Sequence, residues 1–378
     1  MAILRVMLIC LAASMSVTLA RAEDGRWFAL AESTDPDEAI GIALAHRWWF
    51  ETIAVAANKT GGYVTLGRLE DETKNDADAL TELLGSGNWP AGIEVVSAAS
   101  LGEPIWSLPD ATVARHEFRH GDDGRIVSDG ISIQMSSQLD VTDDTFKPML
   151  AVVEQGNAVH QTTLADSGTD GAFARIRIAW LDRTATRPQI VFSGYTMGAH
   201  CCTVTRILTR DEDGWIEVDG GWHDGDEGYR IEDVDGNGEF ELIARDDRFL
   251  NRFAPYATSW TPIRVFKLAG GALFDVSREP AYEPTRRREL HAFEHHADHE
   301  PGLWRETGFL AGWVALKSVL GERQEAWPRM IETYTEDGFW NHVACETDFV
   351  EGACPGGESR SAPFPEALED YLRRTGLW

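Results

Sequence analysis

From about residue 110 to residue 280 the chain is written as short apolar runs separated by Gly and Asp, and this punctuation limits the fold more than any other feature. Residues 175–181, 189–192, 202–208, 215–218, 241–244 and 263–268 each have strand length and a high content of β-branched, aromatic or other apolar side chains. Strands of this length, closed by Gly and Asp turns, predict an antiparallel sandwich or a propeller-like set of sheets.

The flanking segments follow other rules. Residues 24–107 alternate in the order β-α-β-β-α-β. An apolar strand at 27–31 leads into a helix opened by Asp35-Pro36-Asp37-Glu38. Strands at 52–57 and 63–67 flank the turn Asn58-Lys59-Thr60-Gly61-Gly62. Ala77, Leu80, Leu83 and Leu84 then recur at helical spacing up to Gly85, and a last strand covers 93–96. Beyond about residue 285 the pattern is helical. Residues 304–320 are apolar all round, as in a buried helix, and Pro328 and Pro365 each open a further helix in its first turn. The expectation is an α+β protein with an N-terminal module at 23–107, a β-rich domain at 110–284 and a helical segment at 285–378 packed on the β domain.

Residues 1–22 read as an export signal, with Arg5, a mostly apolar core and Ala20-Arg21-Ala22 before the expected mature start at Glu23. No later stretch reaches the ~20 apolar residues that a membrane helix needs. The expected compartment is periplasmic or secreted. The net charge of −28 becomes more negative once Arg5 and Arg21 are removed. That field repels nucleic acid and favours divalent cations. Four cysteines remain beyond the leader, an even count that fits disulfides in an oxidising compartment. Cys345 and Cys354 close a short loop and are expected to pair. Cys201 and Cys202 are adjacent and form either a vicinal bridge or a pair of buried thiols.

The N-terminal module resembles the SPOR domain. The resemblance is carried by Arg26-Trp27-Phe28-Ala29-Leu30-Ala31, by the Ala-rich helix behind Asp37-Glu38-Ala39, and by Tyr63-Val64-Thr65-Leu66-Gly67 after its Gly turn. SPOR domains bind peptidoglycan glycan strands across the face of the sheet. The resemblance therefore implies an envelope glycan as partner, and Trp27 and Tyr63 are the candidate ligand-binding rings.

The sharpest chemical motif is Asp233-Val234-Asp235-Gly236-Asn237-Gly238-Glu239-Phe240-Glu241. Side-chain oxygens fall at positions 1, 3, 5 and 9 of a Gly-containing loop, and a carbonyl at Glu239 is available to a shell of hard oxygen ligands. Position 12 holds Ala244 where an EF-hand needs a bidentate Glu. Residues 233–242 resemble instead the calcium loop of FG-GAP/VCBS-type β repeats. This implies a structural Ca²⁺ site formed by Asp233, Asp235, Asn237, Glu239 and Glu241.

Other clusters are weaker. His200 beside Cys201 does not make a nucleophile, because neighbours on a strand point to opposite faces. His291, His295 and His299 lie at i, i+4 and i+8 of a helix, but three in line converge less well than two with a remote ligand. His116 and His120 form a further pair in a charged stretch. The sequence holds no Gly-x-Ser-x-Gly elbow, phosphate loop or dinucleotide fingerprint. The leading expectation is an envelope binding or structural protein, with catalytic residues unknown. The alternative is a cell-wall or peptide hydrolase targeted by its N-terminal module.

Overall fold

The structure, a computed structural model, describes residues 26–378 apart from 48, 51, 70–77, 80, 83–92, 98–99, 111, 123, 143, 168–172, 197, 199–200, 226–227, 336–339, 346–353 and 355–358. The leader, His200, and the Ala77, Leu80, Leu83 and Leu84 positions of the second expected helix lie outside the described residues.

The N-terminal region contains β1 (Arg26–Ser33), α1 (Pro36–His46), β2 (Thr52–Ala57), β3 (Tyr63–Arg68), β4 (Glu94–Ser97) and β5 (Pro104–Leu108). Its antiparallel sheet has the order β4-β1-β3-β2-β5, with β1 inside as a split β-α-β arrangement requires and β5 as an added edge. Asp35 caps α1 by accepting from the Asp37 N–H at 2.9 Å, Pro36 opens it, and Asp37 and Glu38 oppose the helix dipole. The buried face of α1 is built mostly of small side chains and packs on Phe28, Leu30, Ile53 and Val55.

Three antiparallel sheets follow. The first is β7 (Arg125–Ser128), β8 (Ile131–Asp140), β9 (Thr145–Glu154) and β10 (Asn157–Thr163), in sequential order. The second joins β6 (Ala114–Phe118) to β11 (Ala174–Ala179), β12 (Gln189–Tyr195), β13 (Cys201–Arg210) and β14 (Trp215–Asp224). The third is β15 (Arg230–Glu232), β16 (Glu241–Arg245), β17 (Ile263–Ala269) and β18 (Ala272–Asp275). The sheets are stacked. Ile133, Leu150 and Val152 of the first meet Ile176, Phe192 and Val204 of the second. The other face of the second sheet sends Val191 and Ile207 against Leu242 and Phe266 of the third. The middle sheet is thus covered on both faces, and β11 and β12 are buried along nearly their whole length, although β11 alternates Arg175 and Arg177 with Ile176 and Ile178.

The C-terminal region is helical, with α2 (Glu283–His299), α3 (Thr307–Val319), α4 (Arg323–Thr333) and α5 (Phe364–Arg374), plus the short pair β19 (Val343–Cys345) and β20 (Ser359–Ser361). Its core joins Phe309, Trp313, Phe364 and Tyr371 to Phe249 and Phe253 from the segment after β16. The helical segment and the β region therefore share one core. Pro328 lies inside α4, not in its first turn, because buried Ala326 and Met330 hold the helix from Arg323 onward.

Helix α2 also packs against α1, so the N-terminal module is docked on the C-terminal region. They approach closely at Gly41. A Cβ there would stand 2.5 Å from His291 Cβ and 2.8 Å from the Arg288 carbonyl. Arg288 Nε binds Asp37 Oδ1 at 2.7 Å across the same contact. Gly41→Leu is expected to force the helices apart and to lower stability by about 1–3 kcal/mol, the usual cost of overpacking. Urea denaturation measures this. An unchanged midpoint would show that the crossing carries no stability.

Candidate functional site

The connection between β15 and β16 is the predicted acidic loop. Gly236 and Gly238 take φ of 70° and 84°, the left-handed turns that coil it. The result brings carboxylate oxygens of Asp233, Asp235 and Glu241 within 4.8 Å of one another. Backbone donors orient two of them: Gly238 N–H to Asp233 Oδ2 at 2.9 Å, and Val234 N–H to Glu241 Oε2 at 3.1 Å. Asp233 Oδ1 is buried and has no hydrogen-bond partner. Burial, with a smaller push from Asp235, moves the Glu241 carboxyl up to about 7. Three converging carboxylates and an orphaned buried oxygen fit a hard divalent cation in chemistry and charge.

Of the five expected side chains, the carboxylates of Asp233, Asp235 and Glu241 are the ones that converge as charged ligands. Asn237 turns its oxygen inward to the loop, accepting from the Glu239 N–H at 2.6 Å, while its amide donates to Asp235 Oδ2 at 2.9 Å. The Glu239 carboxylate is drawn away by the Arg183 N–H and by Lys267 on β17, both at 2.9 Å. Glu239 can offer its carbonyl, as the sequence reading allowed, but not its side chain.

The two candidate sugar-binding rings do not share a face. Trp27 lies with Val64, Leu66 and Leu101 on the side of the sheet away from α1, with the Arg68 guanidinium 5.6 Å from its ring centre. Tyr63 packs on the α1 side. Alternation along β1 and β3 separates them, and Val64 and Leu66 between are buried.

A cavity of about 340 Å³ opens instead where the three regions meet. Leu44, Ala45 and Arg47 come from the end of α1. Arg245, Tyr256, Trp260 and Ile263 come from the third sheet and the segment inside it, and Glu289, Phe293 and His296 from α2. Trp260 is set edge-on to Phe293 with ring centres 5.1 Å apart. Tyr256 Oη donates to Asp224, with oxygens at 2.7 and 2.9 Å. Asp247 Oδ2 accepts from the Asp224 N–H at 2.9 Å, and Asp247 Oδ1 is buried without a partner. Burial, then the neighbouring Asp224 and Asp246, push the Asp247 carboxyl up to about 6. None of these residues carries a motif. They are contributed by distant segments, and only the fold assembles them.

The histidine row on α2 is split. His291 packs at the Gly41 crossing, whereas His295 meets His46 from the last turn of α1, their Nε2 atoms 3.1 Å apart. Burial leads the fall of the His46 pKa to about 4 and that of His295 to about 3. His46 was missed in the sequence because it ends an Ala-rich helix with no other ligand nearby. His116 lies in β6 and His120 beyond it, so no helical pair forms there. Cys201 and Cys202 are paired with each other. Cys345 and Cys354 are also paired, with Cα atoms 5.4 Å apart, inside the range for disulfides. Among the described residues no helix is long and apolar enough to cross a membrane.

These features define an α+β protein of stacked antiparallel sheets closed by a helical region, with its polar clusters at the seams. Residues 285–376 match the family described as the sll0997 C-terminal domain. The chain is 29% identical over 258 residues to the "Probable thylakoid lumen protein sll0997" of Synechocystis sp. (strain ATCC 27184 / PCC 6803 / Kazusa), covering 67% of this chain and 75% of that protein. It is 35% identical over 369 residues to the "Uncharacterized protein y4bJ" of Sinorhizobium fredii (strain NBRC 101917 / NGR234). That match covers 97% of this chain, which spans 58% of the y4bJ protein's length. No solved structure matches the chain.

The raised Asp247 pKa sets a pH dependence. The folded state holds this proton more tightly than an unfolded chain, whose Asp titrates near about 3.9. The contribution is therefore complete at lower pH and is lost as pH rises through about 6. Thermal melts from pH 4 to 7 are expected to fall less steeply in Asp247→Asn than in the unaltered protein. Parallel curves would mean that Asp247 titrates as an ordinary surface carboxylate.

Proposed function

We propose that this protein is an extracytoplasmic binding protein of the bacterial envelope, which holds a small envelope glycan in the junction cavity and a structural calcium ion in the 233–241 loop. The single observation carrying the reading is the cavity itself. It combines apolar and aromatic walls with a few convergent polar groups, the pattern of sites for small polar ligands. Trp260 and Phe293 offer ring surface to the apolar face of a sugar, and Arg47, Arg245, Tyr256 and Glu289 offer hydroxyl partners. A volume of about 340 Å³ lies at the low end of the usual range for ligand pockets, so one or two sugar units fit better than a long strand.

The compartment is supported by the export-type leader, by two cysteine pairs, and by a relative whose name places it in the thylakoid lumen. The glycan class follows the SPOR resemblance, moved from the sheet face to the seam because Trp27 and Tyr63 are on opposite sides. Calcium would be held by Asp233, Asp235 and Glu241 with backbone carbonyls and water. It would neutralise the loop and brace the β15–β16 hairpin without an open position for catalysis.

Isothermal titration of the protein with a disaccharide–peptide fragment of peptidoglycan is expected to show binding that Arg245→Gln weakens at least tenfold. Asp235→Ala, which reaches the cavity only through the seat of α2, should weaken that binding less than Arg245→Gln does. Absence of heat at millimolar ligand, or equal affinity in Arg245→Gln, would dispose of the cavity reading. Separately, Ca²⁺ should raise the melting temperature, and Asp235→Ala should abolish the rise. Identical melts in calcium and chelator would remove the ion from this account.

One observation favours a second reading, a glycan hydrolase. Asp247, with its raised pKa, stands beside Asp224, whose carboxylate binds the cavity residue Tyr256. A carboxyl whose pKa is raised toward neutrality, beside a second carboxylate, is what general acid catalysis of glycoside cleavage uses. Release of soluble fragments from cell-wall sacculi by the unaltered protein, lost in Asp247→Asn, is the expected sign of this activity. Intact sacculi after prolonged incubation would exclude it.

A further inference from the structure

We propose that His46 and His295 form the two-imidazole core of a site for a first-row divalent cation such as Zn²⁺ or Cu²⁺, with the remaining coordination positions open to water. The site is separate from the acidic loop and uses a different ligand chemistry. Imidazole nitrogen suits zinc, copper and nickel, whereas oxygen-only sets suit calcium and magnesium.

The geometry carries the inference. The two Nε2 atoms are 3.1 Å apart and come from helices 249 residues apart in the chain. A metal with bonds of about 2.0–2.1 Å to nitrogen places cis ligands about 2.9 Å apart in a square plane and about 3.3 Å apart in a tetrahedron. The observed separation lies between these values, so an ion can enter with little movement of either ring. The rings meet nearly edge to face, with centres 5.1 Å apart and planes at 84°, so the two Nε2 atoms approach each other without the rings stacking. His46 is 7% exposed and held by α1, which fixes one side of the pair.

The surroundings hold the pair in place. His299 lies one turn beyond His295, is exposed, and has its ring centre 4.4 Å from that of His295. Its Nδ1 is 2.8 Å from the His295 carbonyl, which can only accept, so Nδ1 carries the proton and Nε2 keeps its lone pair in the neutral ring. The α1–α2 contact is fixed nearby by the Gly41 crossing and the Arg288–Asp37 ion pair. A metal bridging His46 and His295 would therefore clasp the N-terminal module to the C-terminal helices. Two imidazoles sharing an N–H···N hydrogen bond would show the same spacing, and metal binding separates the two explanations.

The test uses the full chain, stripped of metal with chelator, dialysed, and titrated with Cu²⁺ and Zn²⁺ alone. One equivalent of Cu²⁺ is expected to bind with an electron paramagnetic resonance spectrum split by two nitrogens. One equivalent of Zn²⁺ is expected to raise the melting temperature. His295→Gln should weaken both at least tenfold, as should His46→Gln, which serves if the first variant does not fold. His120→Ala should bind like the unaltered chain. An oxygen-only copper spectrum would overturn the proposal, as would affinity unchanged in His295→Gln or His46→Gln, or a loss equally large in His120→Ala.

Discussion

The arrangement of the molecule depends on one buried charge, the guanidinium of Arg230. It lies between Glu232 on its own strand and Glu289 on α2, each at 2.7 Å, and all three side chains are almost fully shielded from water. Burial opposes the charge, but the two carboxylates more than offset it and hold the Arg230 pKa above its usual range. Such a triad adds little net stability over an apolar contact of the same shape. Breaking one arm is costly, roughly 3–5 kcal/mol, because it strands a charge in a dry interior. Its effect is to fix register. Only one placement of α2 on the third sheet satisfies Arg230, and α2 in turn carries Arg288, His291 and His295 to α1.

Local rules made much of the fold legible. The Gly and Asp turns, the apolar runs and the Asp35 cap each act within a few residues, so the α+β class and six of the central strands could be read from the chain. The acidic loop was legible for the same reason. Gly236 and Gly238 set its coil, and Asp233 and Asp235 are two residues apart. What a local reading could not supply was the pull of Lys267 on Glu239, since Lys267 reaches the loop only through the pairing of β16 with β17.

The seams were illegible because they are made of residues whose individual signals are bland. Arg47, Arg245, Tyr256 and Glu289 are ordinary polar residues in sequence and become a cavity wall only when three regions meet. His46 looked like a polar helix end, yet it is buried because α2 covers it. Trp27 and Tyr63 erred the other way. Both are aromatic and both lie on strands, but strand parity sets them on opposite faces, and parity between strands depends on register, here Phe28 opposite Gly67 and Ser33 opposite Tyr63 with a bulge between.

The loop and the seam are physically continuous. Glu232 ends β15 and holds Arg230, and the next residue, Asp233, turns into the acidic cluster, while Glu241 on the far side of the loop is buried and receives the Tyr282 hydroxyl at 3.3 Å. Tyr282 immediately precedes α2. Strand β15 and the loop after it therefore meet α2 at two points, Arg230 on Glu289 within the helix and Glu241 on Tyr282 at its start. A cation that neutralises Asp233, Asp235 and Glu241 would lower the cost of keeping Glu241 ionised there and tighten the root of the helix. The wall of the cavity formed by Glu289, Phe293 and His296 would stiffen with it. Occupancy of such an ion and the shape of a pocket on the next helix turns would in this way be one mechanical problem, governed by how firmly α2 is seated on the third sheet.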